Sequence, residues 1–462
     1  MNIISILFIF IFLPLSIGLY HLTRFLEDHI PFFKTIRLSD LFTIGISIVF
    51  YAYLLYTHAI YLLIYILFFY FLSLLIRKIK HKKILLTTGI IICLSILFNY
   101  KYFPIFRNTT NNLMVPLGLS FITFSTISFL VDTYKDKRIP LNIIDTFLYI
   151  LFFPKVVSGP IIKFKDFSKQ IYNKTFTSSK IIEGINLIII GLAKKIIIAD
   201  TFGQTISNIK EYMYSGIDIP TGIGLIILYS FQLYYDFSGY SDIAIGLSKL
   251  FGFNFEKNFD YPYTSISFTE FWRRWHISLG DWFREYIYIP LGGNRKGKYR
   301  TILNIFIVFV LTGIWHGAGI TYLSWGILHG IFRIIEGLIK DKKIYKNTPK
   351  IIKYIFTILL VMILWTIFMF NDFKDIKFLF NIIFGIKKFA RIPFTYKYYF
   401  SRKIMIILAI AIYGATIKRY INYNANTKTK YILKEIAYMF LLIISILFLV
   451  NSTYSPFIYF QY

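Results

Sequence analysis

An all-α, polytopic membrane fold is what this sequence predicts, on three observations. The chain of 462 residues is 56% apolar and only 16% charged, against about 25% charged in an ordinary soluble domain, and its mean hydropathy is +0.61. Apolar runs recur from end to end, most close to the roughly 20 residues with which a helix crosses the hydrocarbon layer. Short clusters of Lys and Arg separate them. Length alone would suggest about three soluble domains. The runs replace that expectation with one membrane-embedded domain over 1–462, comprising N-terminal spans (1–112), a core (113–338), C-terminal spans (339–450) and an external tail (451–462).

Taken in order, the apolar runs cover residues 2–20, 41–56, 58–76, 84–100, 113–131, 143–162, 181–199, 219–235, 301–318, 320–338, 351–370, 403–418 and 432–450. They predict about 10–13 membrane helices, with interfacial and re-entrant segments besides. The first run lacks a basic leader and a small-x-small cleavage site, so it is expected to stay as a first span. The densest basic cluster, Arg77 to Lys83, is assigned to the cytoplasm by the positive-inside rule, which leaves the N-terminus and the C-terminal tail extracytoplasmic. The basic stretch Lys374 to Lys403 falls outside on this count and is expected to be partly re-entrant. The net charge of +28 is therefore topogenic. No soluble basic domain carries a nucleic-acid footprint, and membrane lipid is the expected surrounding. A single cysteine, Cys93, excludes an intramolecular disulfide and a thiolate-rich metal site.

Pro116-Leu117-Gly118, Pro154, Ser158-Gly159-Pro160 and Gly239 read as helix interruptions. In lipid these persist where protein or water satisfies the freed backbone groups, so they are expected to outline a cavity. The interval from Tyr235 to Gly330 concentrates the polar chemistry, with four of the six Trp between Trp272 and Trp315, and His276 and His316 among the seven His. Ser267-Phe268-Thr269-Glu270 has the form of a capping box, with Ile266 and Phe271 as a staple. From there an amphipathic helix is expected: Phe271, Trp272, Trp275, Leu279, Trp282, Phe283 and Tyr286 share one face at about 100° per residue. Arg273 and Arg274 lie opposite, suited to lipid phosphates or an anionic donor, and His276 sits on the margin. The turn and basic loop from Pro290 to Lys298 lack P-loop spacing and read as a cytoplasmic connection.

The next apolar run carries His316 some ~22 Å from its start, deep in the bilayer, where an ionisable residue is a functional candidate by default. Gly317 beside it offers an opening without side-chain volume. His329, one run later, reads as structural. Asp236 and Asp242, flanking Gly239, are expected to pair with Arg or backbone N–H groups. The sequence has no HExxH, GxSxG or Walker loop, which removes the common hydrolase and nucleotide-driven routes. A neutral buried imidazole can still act as a general base toward a hydroxyl.

FSGYSD, FTEFWRRWHISL, WFREYIYIPLGGNRKG and LTGIWHG, with Pro116 to Phe121 and Phe153-Pro154-Lys155 to Gly159-Pro160, resemble the bacterial membrane-bound O-acyltransferases (MBOATs), nearest the branch of alginate and peptidoglycan O-acetylation. The resemblance implies an MBOAT-like helical fold around a central transmembrane tunnel in the bacterial cytoplasmic (inner) membrane. It implies His316 as the acyl-transfer histidine and His276 as the second polar site. The implied donor is acetyl-CoA or an acyl-carrier thioester, with no resident cofactor or metal. The implied partner is an extracytoplasmic SGNH-hydrolase-like transferase acting on a cell-envelope polysaccharide. The C-terminal Phe457-Ile458-Tyr459-Phe460-Gln461-Tyr462 matches the branch's acyl-carrying motif, so Tyr459 joins the catalytic set. Trp315, Trp275, Arg273, Arg274, Asp236 and Ser238 are the expected substrate-binding positions. In the expected reaction His316 deprotonates the acceptor hydroxyl, and His276 or a backbone N–H near Gly317 steadies the oxyanion. D-alanyl transfer to teichoic acid, and a secondary transporter of acyl donors or polysaccharide precursors, are the competing readings. Inverted halves would favour the second, and none is visible.

Overall fold

A computed structural model describes residues 3–53, 56–102, 116, 118–156, 159–420 and 428–451. The described residues are helices and connecting turns without a strand. Among them six helices are long and apolar enough to cross a membrane: Phe8–His29, Tyr56–Lys78, Lys82–Lys101, Lys298–His316, Lys350–Met369 and Tyr431–Val450. The other apolar runs also fold as helices, including Leu38–Ala52, Leu119–Lys135, Ile219–Leu250, Ile320–Ile339 and Arg402–Ala415. The 143–162 run does not stay whole. It divides into Ile143–Leu151 and Phe153–Val156, as the Pro154 interruption predicts.

Contacts divide the chain into two compact units, Met1–Ile188 with Ile243–Glu256, and Ile189–Asp242 with Lys257–Tyr462. In the first, aromatic rings fill the core: Phe153 meets Phe12 edge-on at 5.7 Å, and Phe167 stacks on Phe253 at 4.7 Å. Buried charges are paired. Arg37 holds Asp40 at 2.6 Å and Asp145 at 2.7 Å, and Lys174 also binds Asp40. Lys155 is buried with its Nζ 3.1 Å from Ser125 Oγ and 3.6 Å from the Tyr149 ring centre, so a hydroxyl and a π-face take the place of water. The turn before Leu119–Lys135 uses Gly118 at φ +71°, where a Cβ would lie 2.3 Å from the Val156 carbonyl oxygen.

The second unit is organised on the antiparallel pair Lys298–His316 and Ile320–Ile339. Small residues let the two backbones touch, as lipid-phase packing favours. A Cβ on Gly313 would stand 2.6 Å from the Tyr322 carbonyl oxygen, and one on Gly326 only 2.5 Å from that of Phe309. Gly239 serves the same purpose. The expected break there is absent, because Ile219–Leu250 continues through it as helix, and a Cβ at 239 would fall 2.8 Å from the Gly191 carbonyl oxygen. A glycine that reads as an interruption is here a crossing point.

These contacts set a graded expectation. Gly326→Ala drives a methyl into a fixed carbonyl and should destabilise the detergent-solubilised protein by about 1–3 kcal/mol. Gly280→Ala, with nothing within 4 Å of the new carbon, should leave the thermal transition unchanged or slightly raised. Equal melting temperatures for the two variants would contradict the close crossing.

Candidate functional site

The interfacial segment starts where the capping box puts it. Ser267 Oγ accepts from the Glu270 N–H at 3.0 Å, opening the helix Phe268–Arg274. Only half of the box closes, since Glu270 accepts from Ile266 N–H at 3.0 Å and not from Ser267. The Phe268 and Thr269 N–H groups both donate to Glu336 at 2.7 Å, and this carboxylate ties the new helix to the end of Ile320–Ile339. Negative charge at a helix N-terminus is favourable. Glu336 sits 67 residues downstream of Thr269, so local sequence gives no sign of it.

The single amphipathic helix expected from Phe268 to Tyr286 is broken in the middle. His276 adopts φ 47°, ψ 55°, and a second helix, Ile277–Phe283, begins after it, followed by a π-turn over Arg284–Tyr288. The cause lies in Asn258. Its main-chain oxygen accepts from Ile277 N–H at 2.9 Å, and its Oδ1 accepts from Ser278 N–H at 3.1 Å and Ser278 Oγ at 2.9 Å. These bonds satisfy N–H groups that a continuous helix would have turned inward, and they offset the roughly 1–2 kcal/mol of a left-handed residue other than glycine. The aromatic face survives the break: Phe271, Trp275, Leu279, Trp282 and Phe283 are all buried.

His276 is buried, with Nδ1 3.2 Å from Asn258 Oδ1 and its ring edge-on to Phe237 at 4.6 Å. Burial pushes the imidazole down to about 3, so it is neutral near pH 7. His316 closes the Lys298–His316 helix, about 27 Å along from its first residue, further than expected because the helix starts three residues before the apolar run. Its ring lies 4.6 Å from Trp315, 4.9 Å from Phe368 and 5.0 Å from Trp325. The Trp315 ring is 6.4 Å from His276, so one indole is the common wall of both imidazoles. The space over Gly317, expected to be open, is filled by the Tyr322 ring, 2.5 Å from where a Cβ would be, and the Gly317 N–H is committed to Ile314 O at 3.2 Å. His329 is fully buried against Trp325, at 4.5 Å, and Trp272, at 5.0 Å.

The other expected positions separate. Trp275 is enclosed by Trp365 at 4.8 Å and Phe271 at 5.5 Å, one layer from the histidines. Arg274 is held by Glu270 at 2.6 Å and Asp260 at 3.5 Å, whereas Arg273 is exposed. Ser238 is buried. Asp236 pairs with Lys195 at 2.6 Å, as does Asp200 on the same ammonium, and Asp242 pairs with Lys194 at 2.6 Å. The partners are therefore lysines, not the arginines or N–H groups expected, and they ride on a π-turn, Lys194–Ala199. Two adjacent lysines inside an apolar run were the signal that pairing with Asp236 and Asp242 was at hand. The Pro290 to Lys298 loop borders a cavity of about 460 Å³ whose lining includes Lys298, Arg333, Lys340, Ile302 and Leu338. Tyr459 lies outside the described residues.

Residues 50–342 match the profile of MBOAT, the membrane-bound O-acyltransferase family. The chain is 36% identical over 386 residues to a probable alginate O-acetylase AlgI of Pseudomonas putida, covering 79% of this chain and 76% of the relative. It is 32% identical over 412 residues to a peptidoglycan O-acetyltransferase of Helicobacter pylori, with 78% and 76% covered. A teichoic acid D-alanyltransferase of Streptococcus thermophilus is 32% identical over 259 residues, with 53% and 62% covered.

The Lys195 bridge generates the prediction that belongs here. Lys195→Met leaves two buried carboxylates without their shared cation and should cost about 3–5 kcal/mol, read as a fall in detergent melting temperature. Adding Asp236→Asn and Asp200→Asn to the same chain should recover most of it. No recovery would mean that the ammonium acts otherwise than by neutralising that pair.

Proposed function

Because the chain belongs to the membrane-bound O-acyltransferase family and is a multi-pass membrane O-acetyltransferase, we propose that it draws an acetyl group from a cytoplasmic thioester. In this reading it passes the group across the membrane for O-acetylation of a cell-envelope or exported polysaccharide. The observation that carries the reading is the packing of both His276 and His316 against Trp315, at 6.4 and 4.6 Å, among buried aromatic rings. Both rings are at most 4% exposed. Hydroxyl activation needs a base held in place and sheltered from bulk water, and the aromatic packing supplies that shelter.

In the proposed transfer His316 takes the proton of the acceptor hydroxyl as its oxygen attacks the thioester carbonyl. The carbon–sulfur bond breaks, and the thiolate leaves with the proton from the imidazolium. An ester and a free thiol result, so atoms and charge balance without a metal. The acceptor is the Tyr459 hydroxyl, which then gives the acetyl group to an extracytoplasmic SGNH-hydrolase-like partner. Acetyl-CoA and an acyl-carrier protein both satisfy the chemistry. The coverage of the relatives favours acetyl over D-alanyl transfer: the match to each acetylase extends over nearly four-fifths of this chain, and that to the D-alanyltransferase over about half. The trans-membrane direction rests on the charge pattern, which puts the basic loop before the His316 helix in the cytoplasm and the C-terminal tail outside.

His316→Ala in purified, folded protein should abolish release of free thiol from an acetyl-labelled thioester, by about 10²–10⁴-fold; full turnover would remove His316 from the mechanism. Tyr459→Phe keeps the packing and deletes one hydroxyl. It should stop acetylation of external polymer in cells, and wild-type acetylation would mean that the partner takes the group directly.

A further inference from the structure

Asn258 lies outside every motif that carries the resemblance, yet its amide is hydrogen-bonded to His276, Ser278 and Ser241. Its orientation is set by one bond that admits no alternative. The Ser278 main-chain N–H can only donate, and it donates to Asn258 Oδ1 at 3.1 Å. The oxygen therefore faces Ser278 and His276, and the Nδ2 end faces Ser241 Oγ at 3.1 Å. A carboxamide oxygen only accepts. His276 Nδ1, 3.2 Å from that same oxygen, must then be the protonated nitrogen. The second nitrogen, Nε2, is left as the lone-pair side of a neutral ring. It is buried and has no hydrogen-bond partner among the described residues.

We infer that Asn258 is a positioning residue that locks His276 in the Nδ1–H tautomer, so that Nε2 serves as a hydrogen-bond acceptor for the hydroxyl of the acyl acceptor. This rests on the reading that His276 takes part in acyl transfer, and it changes the part assigned there. A neutral ring with its only N–H spent on Asn258 has no donor left for an oxyanion. The backbone N–H of Gly317 is spent as well, on Ile314 O. The ligand that complements an unpaired buried acceptor is an O–H, and the acceptor of an O-acyl transfer brings one. The left-handed backbone at His276 belongs to the same device: it is what turns Ile277 N–H and Ser278 N–H together onto one asparagine.

The wild-type protein tests the tautomer directly. Solid-state ¹⁵N NMR of histidine-labelled protein in bilayers, with His276→Gln to assign the signals, should show a protonated Nδ1 and an unprotonated Nε2; the reverse pattern overturns the inference. Asn258→Leu keeps the approximate shape and removes the amide, and should lower turnover by about 10²-fold or more. Asn258→Asp supplies an acceptor oxygen to the same N–H and should restore turnover to within about tenfold of wild type. Failure of that rescue in folded protein counts against the positioning role, and because a carboxylate also keeps the acceptor for Ser278 N–H, a merely structural asparagine is told apart by the tautomer, which Asn258→Leu should no longer fix. If His276→Ala is inactive while Asn258→Leu turns over normally, the inference alone falls. If His276→Ala is itself fully active, the reading of His276 fails and the inference goes with it.

Discussion

In a chain this apolar, a charge that leaves water is costly unless another residue answers it, and the buried ion pairs of each unit show how that demand is met. Arg37 and Lys174 gather Asp40 and Asp145 in the first unit. Lys195 bridges Asp200 and Asp236 in the second, Lys194 holds Asp242, and Glu336 caps a helix that starts nearly seventy residues earlier. Such pairs add little net stability over an apolar core of the same shape. Their geometric consequence is a restriction on how the helices can sit. A helix whose buried lysine must meet two carboxylates has one rotation and one depth that satisfy it, and Gly239, Gly313 and Gly326 let the backbones come close enough for that one arrangement.

The same demand explains which parts of the protein could be read from its sequence. Helix positions follow apolar run lengths, and those are local: the runs at 58–76, 84–100 and 351–370 agree with Tyr56–Lys78, Lys82–Lys101 and Lys350–Met369 to within a few residues. The cap at Ser267 is local too, and it forms. What the sequence concealed is long-range. Periodicity saw an unbroken aromatic face from Phe271 to Tyr286, and the buried face is real. Nothing within that segment says that Asn258 will capture the N–H groups at Ile277 and Ser278 and divide the helix in two. Gly239 misled for a related reason, since a glycine in a helix looks the same whether it breaks the helix or admits a neighbour.

The two histidines were both visible as ionisable residues in an aromatic setting, but they are held by different physics. His316 stands among three aromatic rings at 4.6–5.0 Å, two of them edge-on, an environment that fixes the plane of the imidazole through shape. His276 is fixed through hydrogen bonding, by an amide whose own orientation is dictated by a backbone N–H. Ring packing by itself does not select which nitrogen of an imidazole carries the proton. A hydrogen bond to an oxygen that only accepts does.

That difference suits two different tasks. A base that takes a proton and gives it back passes through the imidazolium and returns to its neutral form at the same nitrogen. A group that only receives and aligns a hydroxyl works best when its acceptor nitrogen never changes, and the amide of Asn258 enforces that. The Trp315 ring, 4.6 Å from that of His316 and 6.4 Å from that of His276, joins both imidazoles to one aromatic cluster, so the two proposed tasks would fall to neighbouring rings.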